Sequence, residues 1–256
     1  MIKITLIGEK CIDKFVYGEV NRLSPEAPVP VLNPIEIIEN DGMSGNVLKN
    51  LKSISDNLNI THWYQEEKII KTRYVEKKSN HMIVRVDHEP DSCTPFYFLN
   101  FEKQDIIKNS DIVIISDYKK GFLSDLIIEK IAQLSNFIVI DTKRKLTKNI
   151  IDNVDFIKLN YSEYLNNKHI VDDNLDKFII TKGRDGTDYM GKNYPSPNPQ
   201  DTIDVSGAGD TFVASFSLKY FLTSNLDESI QYANLVCSDV VNKKGVSLPD
   251  KKFKLV

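Results

Sequence analysis

The strongest constraint on the fold is a strand, a helix and a second strand that follow one another in the middle of the chain. The runs "DIVIIS" (111–116) and "FIVID" (137–141) are apolar, β-branched and of the length of buried strands. The segment between them predicts a helix capped by Ser124, with an apolar face of Leu126, Ile127, Ile131 and Leu134. Strands joined through a helix are parallel and are covered by helices. The sequence therefore predicts an α/β core with a mainly parallel sheet.

Other segments extend this core and add a second, smaller sheet. Further buried strands are predicted at "IKITLIG" (2–8), "VDFIKL" (154–159) and "KFIIT" (177–181). The proline-containing "APVPVLNPIEII" favours an edge strand, and "HMIVRVD" alternates apolar with polar residues. These two segments predict a small sheet, a β-lid with strands near 15–38 and 69–88. We interpret residues 1–256 as one domain.

The last third of the chain predicts two helices. The first is "GAGDTFVASFSLKYFL", and the second is "LDESIQYANLVCSDVVNKKG", which Asp227 would open and Gly245 would close.

Composition and charge exclude several classes of protein. A net charge of -3 and a pI near 5.9 give no polycationic surface, so we expect no nucleic-acid partner. The N-terminal apolar run stops at Gly8 and no stretch approaches the ~18 apolar residues of a membrane span, so a cytoplasmic protein is expected. Cys11, Cys93 and Cys237 have neither disulfide-framework nor zinc-site spacing.

The segment "DVSGAGDTF" (204–212) is the strongest candidate for chemistry. If a helix begins near Ala208, its unpaired N–H groups and its dipole favour an anion, and Gly207 and Gly209 allow a phosphate to approach the backbone. Asp210 lies in the same turn, where a carboxylate can accept a proton from an attacking hydroxyl. A tight turn with an aspartate facing the helix dipole explains the same residues. This segment alone leaves both interpretations open.

The segment resembles the signature of the ribokinase-like (phosphofructokinase B type) carbohydrate kinases. Within that family, "CIDKFVYGEVNRLSPEAPVPVL" resembles the start of the kinase domains of bacterial D-glycero-D-manno-heptose-7-phosphate kinases. Matches continue in order through "RVDHE", "ISDYKKGFLSD", "IDTKRK", "LNYSEY", "ITKGRDG" and "ANLVCSDVVNKKGVS", from about residue 7 to residue 248. The resemblance implies a three-layer α/β/α core with a β-lid. It also implies an ATP-dependent kinase for the anomeric hydroxyl of a heptose 7-phosphate or related sugar phosphate, acting in glycan precursor synthesis such as that of lipopolysaccharide.

The resemblance also assigns roles to residues of this chain. Asp210 would be the catalytic base, and the backbone N–H groups of the anion hole would come from Gly207, Ala208 and Gly209. Residues expected to bind the sugar or its phosphate are Asp13, Asn46, Lys14, Arg22, Asp117 and Lys120. Residues expected to line the ATP site are Asp141, Lys143, Asn160, Thr181, Gly183, Gly186 and Asn234.

Two cations are implied as well. Glu163, in "NYSE", would meet Mg²⁺ directly or through water. A monovalent cation such as K⁺ would lie behind the anion hole, held by backbone oxygens near Asp204, Val205, Gly245 and Ser247.

Departures from the family pattern keep alternatives open. Met43 stands where the family usually has glycine, and the segments after "GNVLKNL" and after "LNYSEY" are short. The acceptor could therefore be another sugar or a nucleoside, or the chain could be a degenerate member that only binds nucleotide or sugar. We expect no nucleotidyltransferase activity from this chain. Exposed lid strands predict a homodimer in which two lids cover each other.

Overall fold

Two sheets organise the molecule in the computed structural model, which describes residues 1–98, 100–199, 204–243 and 245–255. The twelve strands are β1 (Ile2–Gly8), β2 (Lys10–Leu23), β3 (Pro30–Met43), β4 (Leu58–Trp63), β5 (Ile70–Glu76), β6 (His81–His88), β7 (Ile112–Asp117), β8 (Ile138–Thr142), β9 (Phe156–Asn160), β10 (Phe178–Thr181), β11 (Thr187–Tyr189) and β12 (Lys192–Tyr194). The seven α-helices within the described ranges are α1 (Ser44–Ile54), α2 (Phe101–Lys108), α3 (Asp125–Leu134), α4 (Lys148–Asp152), α5 (Tyr161–Val171), α6 (Ala208–Thr223) and α7 (Leu226–Val241).

The large sheet has the strand order β12-β11-β10-β9-β8-β7-β1-β4. Its strands from β4 to β10 pair in parallel, and β11 and β12 add an antiparallel edge. The five runs predicted as buried strands all lie in this sheet, which confirms the parallel α/β core.

Helices cover both faces of the large sheet. Successive residues of β7 point to opposite faces: Ile112 and Ile114 pack with α1, α6 and α7, and Val113 and Ile115 pack with α2 to α5. Each of these four side chains is fully buried, which stabilises the fold by ~1.5–3 kcal/mol per side chain. The three-layer α/β/α arrangement is the predicted one.

Two predicted helix details differ in the structure. Ser124 caps α3 as predicted, accepting from the Ile127 N–H at 3.3 Å, but Ile128 is buried and Leu126 is exposed. The buried face of α3 is therefore rotated about the helix axis relative to the predicted face. Asn225, not Asp227, caps α7, because the Asn225 side chain accepts from the backbone of Glu228.

The small sheet has the order β3-β2-β5-β6. Its first two strands extend beyond the predicted range of 15–38, because β2 begins at Lys10 and β3 ends at Met43. Along β2, Asp13, Phe15 and Tyr17 alternate with Lys14 and Val16, so the two sets face opposite sides. The Asp13 set faces inwards, where Phe15 and Tyr17 are buried and pack with Val246. Within the described residues, no helix is long and apolar enough to cross a membrane.

Candidate functional site

The glycine loop leads directly into α6, as predicted. Gly207 has a φ of 80°, in the left-handed region, and a Cβ there would lie 2.4 Å from the Nδ2 atom of Asn46. The Ala208 N–H donates to the Val205 carbonyl at 3.3 Å, so it is already engaged. The N–H groups of the following first-turn residues face the end of the helix, where its dipole favours an anion.

Asp210 is buried at the start of α6, with 3% of its surface exposed. Its Oδ1 accepts from the Tyr118 hydroxyl at 2.9 Å, and its Oδ2 accepts from the Asn46 amide at 3.1 Å. Burial, with a contribution from the Asp141 carboxylate, raises the pKa of Asp210 to about 7, although the two donors and Lys158 oppose this rise. A carboxyl group with such a pKa exchanges protons readily near neutral pH, as a general base requires.

A buried ion pair lies directly beside this loop. The Lys158 ammonium contacts both carboxylate oxygens of Asp141, at 3.1 and 3.2 Å, and both side chains are buried. A Cβ on Gly209 would lie 2.9 Å from this ammonium. Burial alone would lower the pKa of Lys158, but Asp141 and Glu163 raise it above its usual value, so the side chain is charged.

Asn160 and Glu163 form a capping box at the start of α5. The Asn160 Oδ1 accepts from the Glu163 N–H at 2.9 Å, and the Glu163 Oε2 accepts from the Asn160 N–H at 2.7 Å. Burial raises the pKa of Glu163, although Lys158 opposes this rise. The motif therefore has a local structural role, which leaves the second Glu163 oxygen for a ligand.

A cleft continues from the loop along α7. Four residues predicted for the nucleotide line it, together with part of the anion loop: Thr181, Gly183, Gly186, Asn234, Val205, Ala208 and Gly209. The Asn234 amide is used inside the protein, since its Oδ1 accepts from Thr187 at 2.7 Å and its Nδ2 donates to the Tyr194 carbonyl at 2.9 Å. Asn234 therefore joins α7 to β11 and β12 and shapes the cleft wall.

Basic residues face the loop from the lid and from the core. Asp13 forms a largely buried ion pair with Arg73. The ammonium groups of Lys71 and Lys143 lie 5.1 and 4.1 Å from the centre of the Tyr118 ring. Burial and the nearby Lys71 lower the pKa of Lys143. Lys71 and Lys143 therefore bring two ammonium groups towards Tyr118 and Asp210, where Asp13 and Asp141 already have cationic partners of their own.

Of four further residues predicted to bind the sugar, two face away from this space and two are paired with other side chains. Lys14 lies on the opposite face of β2 from Asp13 and pairs with Glu39 at 3.0 Å, because neighbouring strand residues alternate in direction. Arg22 is exposed near the far end of β2. Lys120 pairs with Glu89 at 2.6 Å.

Asp117 is the fourth of these residues. Its carboxylate is fully buried and accepts from Arg144, with N–O distances of 2.6 and 2.9 Å. The charge of Asp117 is therefore neutralised inside the protein.

The two segments predicted for a monovalent cation lie together beside the anion loop. The Asp204 N–H donates to the carbonyl of Val241 at 3.1 Å, which joins the first segment to the end of α7. A Cβ on Gly207 would lie 3.2 Å from Val246, which lies between Gly245 and Ser247. Within the described residues, no cluster of three or more His, Cys, Asp or Glu side chains is arranged to hold a metal.

Four of the residues near Asp210 were missed by the sequence analysis: Tyr118, Lys158, Lys71 and Arg73. Two of them carried a signal. Lys158 interrupts the apolar strand "FIKLN", and a buried lysine needs a partner. Tyr118 directly follows a predicted strand, at the sheet edge where ligands bind in α/β folds.

Met43 precedes α1 with a φ of 56° and is buried. A residue with a side chain is strained in this region of φ. The backbone at Met43 therefore has a conformation that favours glycine, the residue expected at this position.

Comparison with known proteins identifies a family and a fold. The model of the pfkB family of carbohydrate kinases matches residues 48–252. The bifunctional protein HldE of Campylobacter fetus is 28% identical over 96% of the chain, and that of Helicobacter acinonychis is 30% identical over 97%. The chain spans 64% of the length of each of these relatives.

Solved structures share the fold at low sequence identity. Arabidopsis thaliana ribokinase, complexed with ribose and ATP, superposes with a TM-score of 0.69 at 14% identity, covering 99% of this chain and 97% of its own. Escherichia coli phosphofructokinase-2, in complex with potassium, gives a TM-score of 0.72 at 13% identity with the same coverage. Methanocaldococcus jannaschii nucleoside kinase gives 0.68 at 20% identity, covering 96% of this chain and 93% of its own.

Proposed function

The chain belongs to the pfkB family of carbohydrate kinases and is by family an ATP-dependent carbohydrate kinase, and we propose that its acceptor is the anomeric hydroxyl of a heptose 7-phosphate or a related sugar phosphate. The resemblance of "RLSPEAPVPV" and its surroundings to heptose-7-phosphate kinases supports the heptose. Glycan precursor synthesis, as for lipopolysaccharide, is the corresponding pathway. Because the chain spans less than two thirds of its bifunctional relatives, we propose only the kinase reaction.

The observation that carries the proposal is the placement of Asp210. Its carboxylate is buried at the N-terminus of α6, is held by two side-chain donors and has a pKa of about 7. In the proposed reaction it takes the proton of the acceptor hydroxyl. The acceptor oxygen bonds to the γ-phosphorus of ATP, the bond from that phosphorus to the bridging oxygen breaks, and ADP leaves.

The rest of the loop stabilises charge during transfer. The backbone around Gly207 and Gly209 would face the phosphoryl group, and the Lys158 ammonium lies close to Gly209. Fixed donors and a buried cation are the main means of accelerating phosphoryl transfer, because little covalent chemistry falls to the protein.

The cations near Tyr118 favour a phosphorylated acceptor. Lys71 and Lys143 converge on the space beside Asp210. A neutral sugar or a nucleoside offers no anion to balance these charges, whereas a sugar phosphate does. Asp13 and Asn46 are buried polar side chains whose oxygens would accept hydrogen bonds from a polyhydroxyl ligand.

The proposed Mg²⁺ fits the donors that are present. The capping box occupies one oxygen of Glu163 and leaves the other, and carboxylate oxygens are the ligands that Mg²⁺ prefers, often through water. Mg²⁺ bound with ATP would neutralise the phosphate charges. For K⁺, the segments at 204–205 and 245–247 would supply the backbone oxygens: the first is joined to the end of α7 at Val241, and Val246 of the second lies near Gly207.

We propose a homodimer that forms through the outer face of the lid. Ile37, Val16, Tyr74 and Val84 are cross-strand neighbours in one row across the lid, in which Ile37 is 57% and Val84 48% exposed while the central Val16 is buried. Burying such a row against a second copy covers the lid. The protein is proposed to act in the cytoplasm, where ATP is available.

The test is phosphorus NMR of the protein with Mg²⁺, ATP and separate acceptors: heptose 7-phosphate, a hexose, a hexose phosphate and a nucleoside. A new anomeric phosphate on the heptose is the expected result. Transfer to a neutral sugar or a nucleoside instead would overturn the acceptor assignment and keep the kinase. ATP binding without transfer to any acceptor would point to a binding role.

A further inference from the structure

Tyr118 connects the proposed base to both the core and the lid. It follows β7, and its backbone N–H donates to the Glu9 Oε2 at 2.8 Å. Glu9 is fully buried, and its Oε1 accepts from the Lys120 N–H at 2.9 Å. The turn after β7 is therefore fixed at its backbone, so the Tyr118 side chain leaves from a defined position.

The ring of Tyr118 lies close to two ammonium groups from different parts of the fold. Lys143 follows β8 of the core and lies 4.1 Å from the ring centre. Lys71 belongs to β5 of the lid and lies 5.1 Å from it. Cations at these distances from an aromatic ring are attracted by its π electrons. The ring thus holds a lid residue and a core residue in one place.

The hydroxyl of Tyr118 acts on Asp210. It donates to the Asp210 Oδ1 at 2.9 Å, while Asn46 donates to the Oδ2. Burial and the carboxylates of Asp210 and Asp141 raise the pKa of Tyr118 well above its usual value, so the phenol stays protonated and remains a donor. A carboxylate can accept up to about four hydrogen bonds, so both oxygens keep a lone pair for the acceptor hydroxyl.

We propose that Tyr118 is a positioning residue of the kinase reaction: its hydroxyl orients Asp210 and stabilises its carboxylate form, and its ring holds Lys71 and Lys143 where they meet the anionic group of the acceptor. The inference rests on the proposed function and adds to it a link between the base and acceptor binding. Phenylalanine at this position would keep the ring and lose the hydroxyl, which separates the two roles.

Other charged or titratable groups around Asp210 also affect its ionisation, and the effect of the Tyr118 hydroxyl adds to theirs. The charged or titratable neighbours come from separate elements: Cys11 on β2, Lys71 on β5, Asp141 on β8, Lys143 after β8, Lys158 on β9 and Glu163 on α5. Burial raises the pKa of Cys11 to about 12, so its thiol is neutral. Asp141 disfavours the charge of Asp210 and Lys158 favours it. Removing the Tyr118 hydroxyl leaves these charges in place and deletes one direct donor.

The test compares Tyr118→Phe with Tyr164→Phe. Tyr164 is a matched control because its hydroxyl also donates to an aspartate, the Asp172 Oδ1 at 3.1 Å, on the surface of α5. A hydrogen bond to a charged group is strong enough that its loss in Tyr118→Phe should lower kcat about 10-fold or more and move the acid limb of the kcat profile up by about one pH unit. The KM for the acceptor should change little, and Tyr164→Phe should match the wild type.

Tyr118→Leu tests the ring. It should lower kcat as Tyr118→Phe does and should also raise the KM for the sugar phosphate about 10-fold, because the lysines lose their common support. An acceptor KM equal to that of Tyr118→Phe would overturn the role of the ring.

A measurement without turnover separates this inference from the proposed function. Carbon NMR of aspartate-labelled protein, with the Asp210 carboxyl signal assigned by its loss in Asp210→Asn, follows the ionisation of that group directly. A higher titration pH in Tyr118→Phe than in the wild type supports the role of the hydroxyl even if no acceptor is phosphorylated. An unchanged titration together with an unchanged kcat would overturn it, even if the wild type is an active kinase.

Discussion

Replacing Lys158 with methionine tests whether the buried ion pair beside the anion loop supports both the fold and the base. The change keeps an unbranched side chain and removes the ammonium that contacts Asp141 at 3.1 and 3.2 Å. Asp141 then has a buried carboxylate with no cation in contact, near the buried Asp210. Removing one partner of a buried pair typically costs ~3–5 kcal/mol. For a chain of this size that corresponds to a fall in Tm of roughly 6–20 °C.

The pH dependence of this loss has a definite sign. Lys158 lowers the pKa of the buried Asp210 carboxyl, which burial already raises to about 7. Without the ammonium that pKa rises further above its value in the unfolded chain, so the folded state loses more stability as the pH rises through it. Protonation removes the unpaired charge. The difference in Tm between wild type and Lys158→Met should therefore be larger at pH 8 than at pH 5.

Thermal unfolding followed by far-ultraviolet circular dichroism at both pH values measures this effect. Lys192→Met is the control, because Lys192 pairs with Asp227 on the surface, with both side chains more than half exposed. It should leave the Tm unchanged at either pH. A Tm for Lys158→Met within about 2 °C of the wild type, or a loss equal at pH 5 and pH 8, would refute the reasoning.

Three further predictions concern the loop, the base and the lid. Gly207→Ala should lower kcat far more than Gly191→Ala in a steady-state assay. Both glycines have a positive φ, but only at Gly207 would a Cβ clash with another side chain, the Asn46 amide at 2.4 Å, so equal losses of kcat would contradict this role of Gly207. The wild-type kcat/KM should rise with pH and level off above an apparent pKa near 7, because Asp210 must lose its proton to act; a limb near pH 4 would assign it to another group. Val84→Glu should give a monomer by light scattering, whereas Leu165→Glu, a change at a similarly exposed residue of α5, should leave the protein dimeric. A monomeric wild-type protein would contradict the proposed lid dimer.

The parallel core could be predicted from sequence because its strands are buried on both faces. Runs such as "DIVIIS" have few other stable arrangements, and Ser124 marked the start of α3. The buried face of that helix could not be predicted in the same way, because its consecutive apolar residues 126–128 allow more than one buried face. Leu126 proved to be the exposed one.

The loop and Asp210 could be located from sequence because their chemistry is local. Glycine, helix start and carboxylate lie within four residues, so no distant contact is needed to place them. Asn46 was assigned through the family resemblance, and the structure brings its amide to Asp210.

The surroundings of Asp210 depend on contacts distant in sequence. Asp13 and Lys14 are adjacent in sequence but face opposite sides of β2, which requires knowledge of what the strand packs against. Asp117 ends a core strand, as a ligand-binding residue often does, but Arg144 neutralises its charge. The sequence hints at Tyr118 and Lys158, but their partners are 92 and 17 positions away in the chain and are identified only in the fold.

The most direct test of the central claim is the turnover of Asp210→Asn with ATP and heptose 7-phosphate, measured with the dissociation constant for ATP. Asparagine keeps the shape of the side chain and cannot take the acceptor proton. We expect kcat to fall by about 10²–10⁴-fold while ATP binding is retained. A kcat within about threefold of the wild type would show that Asp210 is not the base and would contradict the mechanism.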